Sequence, residues 1–282
     1  MTAHYTLHRC IAVVTLDHPP VNSMSMATRA AIGAGLAKAI ADASVNAIVI
    51  TGANGIFTGG ADIREFSLPV GMQSPNLHDL IRAFEASPKP VISAINAVCM
   101  GGGTEISLGC HYRVAAPGAK IGLPEVKIGL LPGAGGTQRL PRVAGVELAL
   151  QMIVSGDAVP AEELLRVGAI DRIIDGDFLS GAIAFANAVA KQKTLPCVRD
   201  QTINFPNASS FFATARKNVQ AANPHFQAPL ACVDAVEASV LRNIDDGLAY
   251  EYSRFIELMA TPESAMLREA FFAARAAKKI LK

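Results

Sequence analysis

No run of about 18 unbroken apolar residues occurs in this 282-residue chain, so an ordinary membrane-spanning helix is excluded. The opening residues, MTAHYTLHRC, lack the apolar core of a secretory signal, which argues against secretion. Charge imbalance is missing too. The net charge is +1 and the basic residues are scattered, so binding to nucleic acid driven by charge is not expected. Cysteine is sparse: Cys10, Cys99, Cys110, Cys197 and Cys232 are widely spaced and odd in number. That set fits reduced core thiols in a cytoplasmic compartment better than a disulfide frame. No CxxC or paired His/Cys cluster suggests a metal. No GxGxxG fingerprint and no GK[ST] loop occurs, so neither a dinucleotide site nor a phosphate-cradling loop is supported.

What is present is apolar material. At 51% hydrophobic residues, the chain can build a sizeable core. Tyr5–His8 and Ile11–Leu16 read as a hairpin closed by His18-Pro19-Pro20. Ser25 caps a helix with an apolar stripe at Ile32, Leu36 and Ile40. Ala47–Thr51 is a buried strand by its continuous β-branched run. A glycine-rich loop spans Gly52–Asp62, and a helix is expected near Ile63. Ser74-Pro75 opens a helix carrying Leu77, Ile81 and Phe84, and Val91–Val98 is strand-like. Further on, 146–154 and 161–167 are helical and 170–174 is a strand. Alternation of this kind defines an α/β body, although periodicity alone does not separate a spiral from a doubly wound sheet. Beyond Ile174 the pattern is helical, ending in Ala265–Ile280, with Thr261-Pro262-Glu263 as its start signal. A boundary near Lys193 divides a core, 1–193, from a helical region, 194–282.

The stretch Val98–Leu140 organises the rest. Gly101, Gly102 and Gly103 join a strand to a helix, where a missing Cβ lets the backbone approach a ligand. The first N–H groups of that helix have no internal partner and stand at its positive end. Glu105 lies in the first turn among apolar neighbours, and Glu125 follows in the apolar segment Ile121–Leu131. Gly133-Ala134-Gly135-Gly136 comes next. Singly, each feature has a bland reading: a dipole-complementing Glu, a solvated loop Glu, a weak glycine loop. Together, two carboxylates beside bare N–H donors suit an anionic oxygen and a proton-transfer pair.

GGGTEISLGC followed by GLPEVKIGLLPGAGGTQRLP, with Gly55-Ile56-Phe57-Thr58-Gly59-Gly60-Ala61-Asp62-Ile63 upstream, resembles the enoyl-CoA hydratase/isomerase (crotonase) superfamily. The resemblance covers roughly Ile11 to Ile174. The GCHYR and LPRVAGVELAL segments and the helical tail look most like the hydratase/isomerase half of multifunctional β-oxidation enzymes.

The resemblance implies an α/β fold, a crotonase-like ββα spiral with a helical C-terminal region. It implies an acyl-CoA substrate, with Ala61 and Gly102 as the two N–H donors of an oxyanion hole. Glu105 and Glu125 would be the acid/base pair, and Gly133 would leave room for a water and donate to it. Gly59, Gly60, Ala61, Asp62 and Ile63 would line the substrate, with Gly101 and Gly102. Arg64 stands where some relatives place a lysine near the coenzyme A phosphates, although a solvated helix charge explains it equally well. Family members with one of the two carboxylates tend to be isomerases; this chain carries both. The implied reaction is hydration of trans-2-enoyl-CoA, with Δ3-Δ2 isomerase activity beside it. The alternatives are an isomerase-only enzyme or a non-catalytic binding module. No cofactor is called for, nor any membrane or nucleic-acid partner, and a dehydrogenase half is missing. A last helix with Met266, Ala270, Phe271 and Ala274 on one stripe is expected to fold back on its own chain, favouring a monomer over a homotrimer.

Overall fold

The hairpin forms as expected. In the computed structural model, which describes residues 2–280, β1 (Ala3–His8) and β2 (Ile11–Leu16) pair antiparallel from Ala3↔Leu16 to His8↔Ile11. The Ser25 side chain accepts from Thr28 N and starts α1 (Met26–Ala41); β3 (Ala47–Gly52) follows. The helix expected near Ile63 is only a single 3-10 turn, Ile63–Glu65, capped by Asp62. A second such turn over 69–72 begins with a proline and breaks any continuation. α2 (Leu77–Glu85) starts two residues past Ser74-Pro75, because Asn76 and Asp79 form a reciprocal capping box there.

The segment from Val91 to Val98 is two strands, β4 (Val91–Ile95) and β5 (Val98–Met100). Between them the Asn96 amide donates to Gly52 O at 2.6 Å and turns the chain. Then come α3 (Gly102–Gly109), β6 (Tyr112–Ala115) and β7 (Lys120–Gly122). α4 (Gly136–Ala144) has no counterpart in the sequence reading; it opens on glycine and holds Pro141, signals that argue locally against a helix. α5 (Val146–Ser155), β8 (Val159–Pro160), α6 (Ala161–Arg166), β9 (Arg172–Ile173) and α7 (Phe178–Val189) follow. The remainder is α8 (Ala208–Ala222), α9 (Ala228–Leu241), α10 (Ile244–Met259) and α11 (Pro262–Ile280). Among the described residues no helix is long and apolar enough to cross a membrane.

The chain divides into two compact units. The first comprises 1–122 with 158–201. Its larger sheet runs β1-β2-β3-β4-β6-β9, and a smaller one runs β5-β7-β8. From β2 onward the large sheet is parallel and grows in one direction without reversal. That order lacks the switch point of a doubly wound sheet and matches a spiral in which each turn adds a strand to each sheet. Alternate strand residues make the core: Ile11, Val13, Ala47, Val49, Ile92, Ala94 and Val114 face Ala182, Phe185 and Ala186 of α7.

The second unit comprises 123–157 with 202–282 and is helical. α9 is its centre, with Ala231, Cys232, Val233, Ala235 and Val236 all buried, so it is enclosed around most of its circumference. α11 is anchored through its first turn: Thr261 Oγ1 accepts from Ser264 N, and the buried Ser264 hydroxyl donates to Ile128 O at 3.1 Å. Of the stripe expected to dock, only Phe271 is partly covered. Met266 is 57% exposed, and Ala270 and Ala274 are exposed as well. Anchoring at Ser264 turns Leu267 and Arg268 inward beside Phe271, each half-buried.

Candidate active site

In the first unit, the loop after β3 threads between two neighbours. Gly59 N donates to Val21 O (2.7 Å) and Met24 N to Gly60 O (2.9 Å). On the other side, Thr58 N donates to Val98 O and Met100 N to Thr58 O, both at 3.1 Å. The Thr58 hydroxyl donates to Asn22 O and accepts from Gly60 N. Gly60 has φ +99°, and a Cβ there would stand 2.6 Å from Met100 O. Only glycine meets both demands. Gly101, at φ 54° and ψ −127°, turns β5 into α3.

These constraints bring Ala61 and Gly102 together. A Cβ on Gly102 would lie 3.4 Å from Ala61 N and 2.7 Å from Leu77 Cδ1. Among the described residues, neither the Ala61 nor the Gly102 N–H is spent on a backbone acceptor. Two bare donors therefore meet at the positive end of α3, the arrangement that stabilises a developing oxyanion. The helix start is fixed from behind: Thr104 Oγ1 donates to Cys99 O and Gly122 O, and Gly103 packs against the Thr58 methyl. Glu105 lies one turn in and is 3% exposed. Asp62 and Arg64 form an ion pair at 2.6 Å, which holds the Asp62 carboxyl below its usual range; the Arg64 side chain is 66% exposed.

In the second unit, Glu125 is half-buried in a 3-10 turn, Pro124–Ile128, closed by Gly129 in the left-handed region. Leu130 N donates back to Glu125 O at 3.0 Å. Gly133 lies under the Phe255 ring; a Cβ there would come within 2.5 Å of it. Gly135, at φ +107°, turns the chain into α4. One residue unmarked in the sequence reading governs this loop. Glu251 of α10 is fully buried and accepts from Gly135 N (2.5 Å), Thr137 N (2.9 Å) and Thr137 Oγ1 (2.5 Å). Hydrogen bonds to a charged group contribute about 1.5–3 kcal/mol each. The available signal was a carboxylate on the apolar stripe of Phe255 and Leu258 at helical spacing.

Other polar groups are structural. His111 is buried and its Nδ1 accepts from Val91 N at 3.0 Å, and burial lowers its pKa to about 4. Burial likewise raises the Cys99 and Cys110 thiols to about 12, which makes them inert.

Residues 6–204 match the enoyl-CoA hydratase/isomerase family, and the chain belongs to it. It is 42% identical over 282 residues to a peroxisomal bifunctional enzyme of Homo sapiens, covering 98% of this chain and 39% of that one. It is 33% identical to a glyoxysomal fatty acid beta-oxidation multifunctional protein of Cucumis sativus, covering 96% of this chain and again 39% of that one. The chain thus spans about two fifths of the length of these relatives. An enoyl-CoA hydratase of Bacillus anthracis superposes over 97% of each chain with a TM-score of 0.62 at 26% identity. The fold is therefore the crotonase-type α/β spiral with a helical C-terminal region.

One expectation is corrected. A cytoplasmic location does not agree with relatives named as peroxisomal and glyoxysomal. Unpaired thiols do not distinguish the cytosol from an organelle matrix, so the sequence argument could not have separated them.

Proposed function

We propose that this chain hydrates trans-2-enoyl-CoA to 3-hydroxyacyl-CoA in peroxisomal-type fatty-acid β-oxidation, with Δ3-Δ2-enoyl-CoA isomerase activity beside it. The observation that carries this reading is the convergence of the Ala61 and Gly102 N–H groups at the start of the helix that bears buried Glu105. The thioester oxygen accepts from both donors. As water attacks C3, negative charge moves onto that oxygen and the fixed dipoles stabilise it. Glu105 takes the proton from the attacking water, and Glu125 delivers a proton to C2. Gly133 keeps room for that water and donates to it. In isomerisation, Glu125 carries a proton between C2 and C4.

Gly59 to Ile63, with Gly101, are assigned to the coenzyme A moiety through main-chain contacts. Arg64, its fork steadied by Asp62, is assigned to the phosphates. Addition of water involves no net oxidation or reduction, so the reaction as proposed calls for no redox cofactor. The 3-hydroxyacyl product is the substrate class of a dehydrogenase, which makes such an activity the proposed partner. Docking of the first turn of α11 on this chain's own Ile128 carbonyl supports a monomer rather than a trimer built through that helix. The test is loss of the conjugated enoyl-thioester absorbance on mixing the protein with crotonyl-CoA and longer 2-enoyl-CoAs. Turnover with formation of 3-hydroxyacyl-CoA is expected; a protein that binds these thioesters and converts none would sink the proposal.

A further inference from the structure

We propose that Glu251 is a positioning residue for the hydration step, acting through the Gly133–Thr137 loop rather than by touching substrate. This rests on the hydratase reading above. Three donors converge on its carboxylate: Gly135 N, Thr137 N and the Thr137 hydroxyl. Two are the otherwise open N–H groups at the start of α4, so the carboxylate both satisfies them and complements the helix dipole. Glu251 is wholly buried, and hydrogen bonds such as these offset the cost of enclosing its carboxylate.

The neighbours extend the same clamp. Phe255, one turn along α10, covers Gly133 so closely that no side chain fits there. Ser264 of α11 donates to Ile128 O at the end of the turn that carries Glu125, and Gly129 packs against Ser264. Glu125 and Glu251 both act on the Cys232 thiol, which burial and these two carboxylates push upward, so the two acids border one buried region of this unit. The helical C-terminal region therefore holds the loop that offers Gly133 to the attacking water. Without the clamp the loop keeps its sequence and loses its fixed position. Misplacement of a reacting group by about 1 Å can cost on the order of 10²-fold in rate.

Glu251→Gln removes the charge and keeps one acceptor. Thr137→Val removes one donor, leaves the carboxylate in place, and serves where the first variant does not fold. Turnover with crotonyl-CoA is read per folded molecule, alongside hydrogen exchange of the free protein. The expected result for Glu251→Gln is a kcat lower by about 10- to 100-fold with KM changed by less than about 2-fold. Faster exchange should be confined to the 133–138 segment, and Thr137→Val should follow in the same direction with a smaller loss. An active wild type whose variants keep kcat, or whose exchange rises uniformly, overturns the positioning role alone. A wild type that hydrates no enoyl-CoA overturns the hydratase reading and this proposal with it.

Discussion

At the scale of single residues, the site is written in atoms that are missing. Gly60 and Gly102 are small because a Cβ would strike Met100 O and Leu77 Cδ1, and on Gly102 it would also stand 3.4 Å from Ala61 N. The sequence disclosed the glycines but not which clash each one avoids, because the partners come from Met24, Leu77 and Met100, far apart in the chain. Ala61→Pro removes one donor outright. Gly102→Val drives a branched side chain against Leu77 and Met24 in the place where the thioester oxygen should sit. Each is expected to lower hydration by about 10²–10³-fold or more while leaving a folded protein. Circular dichroism and turnover measured together check this. Near-normal activity in folded Ala61→Pro would remove that N–H from the mechanism.

At the scale of elements, capping chemistry set the boundaries that periodicity blurred. Ser25 started α1 as read, whereas the Asn76–Asp79 box moved the start of α2 past Ser74-Pro75. α4 was illegible because its stabilising partner, Glu251, lies more than a hundred residues away. His111 shows the same long-range logic: its backbone N donates to Val91 O while its ring accepts from Val91 N, tying the start of β4 to the residue before β6. Burial chiefly, with the nearby Arg113 charge, lowers its pKa from 6.5 to about 4. The folded state therefore resists protonation more than the unfolded chain does. The stabilisation is complete above about pH 6.5 and is lost as pH falls toward 4, a difference on the order of 3 kcal/mol. Denaturant titrations between pH 7 and pH 4 should show this loss. A His111→Asn variant, which retains an acceptor near Nδ1, should show a flatter pH dependence; an unchanged slope would assign the loss to other groups.

At the scale of the whole molecule, local pattern revealed the α/β class and the helical end. It did not reveal that residues 123–157 pack with 202–282. Nothing in the turn Pro124–Ile128 says which helices will cover it; only tertiary contacts with α5, α9 and α11 decide that. The candidate carboxylates were legible because each stands beside a glycine segment. Glu251 was not, because the Gly135 and Thr137 N–H groups that it caps carry no sequence mark. The central claim is that Glu105 and Glu125 share the hydration of an enoyl thioester. It is tested most directly by measuring kcat for crotonyl-CoA hydration in the wild type, Glu105→Gln, Glu125→Gln and the double variant. Each single change is expected to lower kcat by on the order of 10²–10⁴-fold, with the double variant little worse than the poorer single one, since the two act as a unit. Either single variant hydrating at close to the wild-type rate would contradict the account.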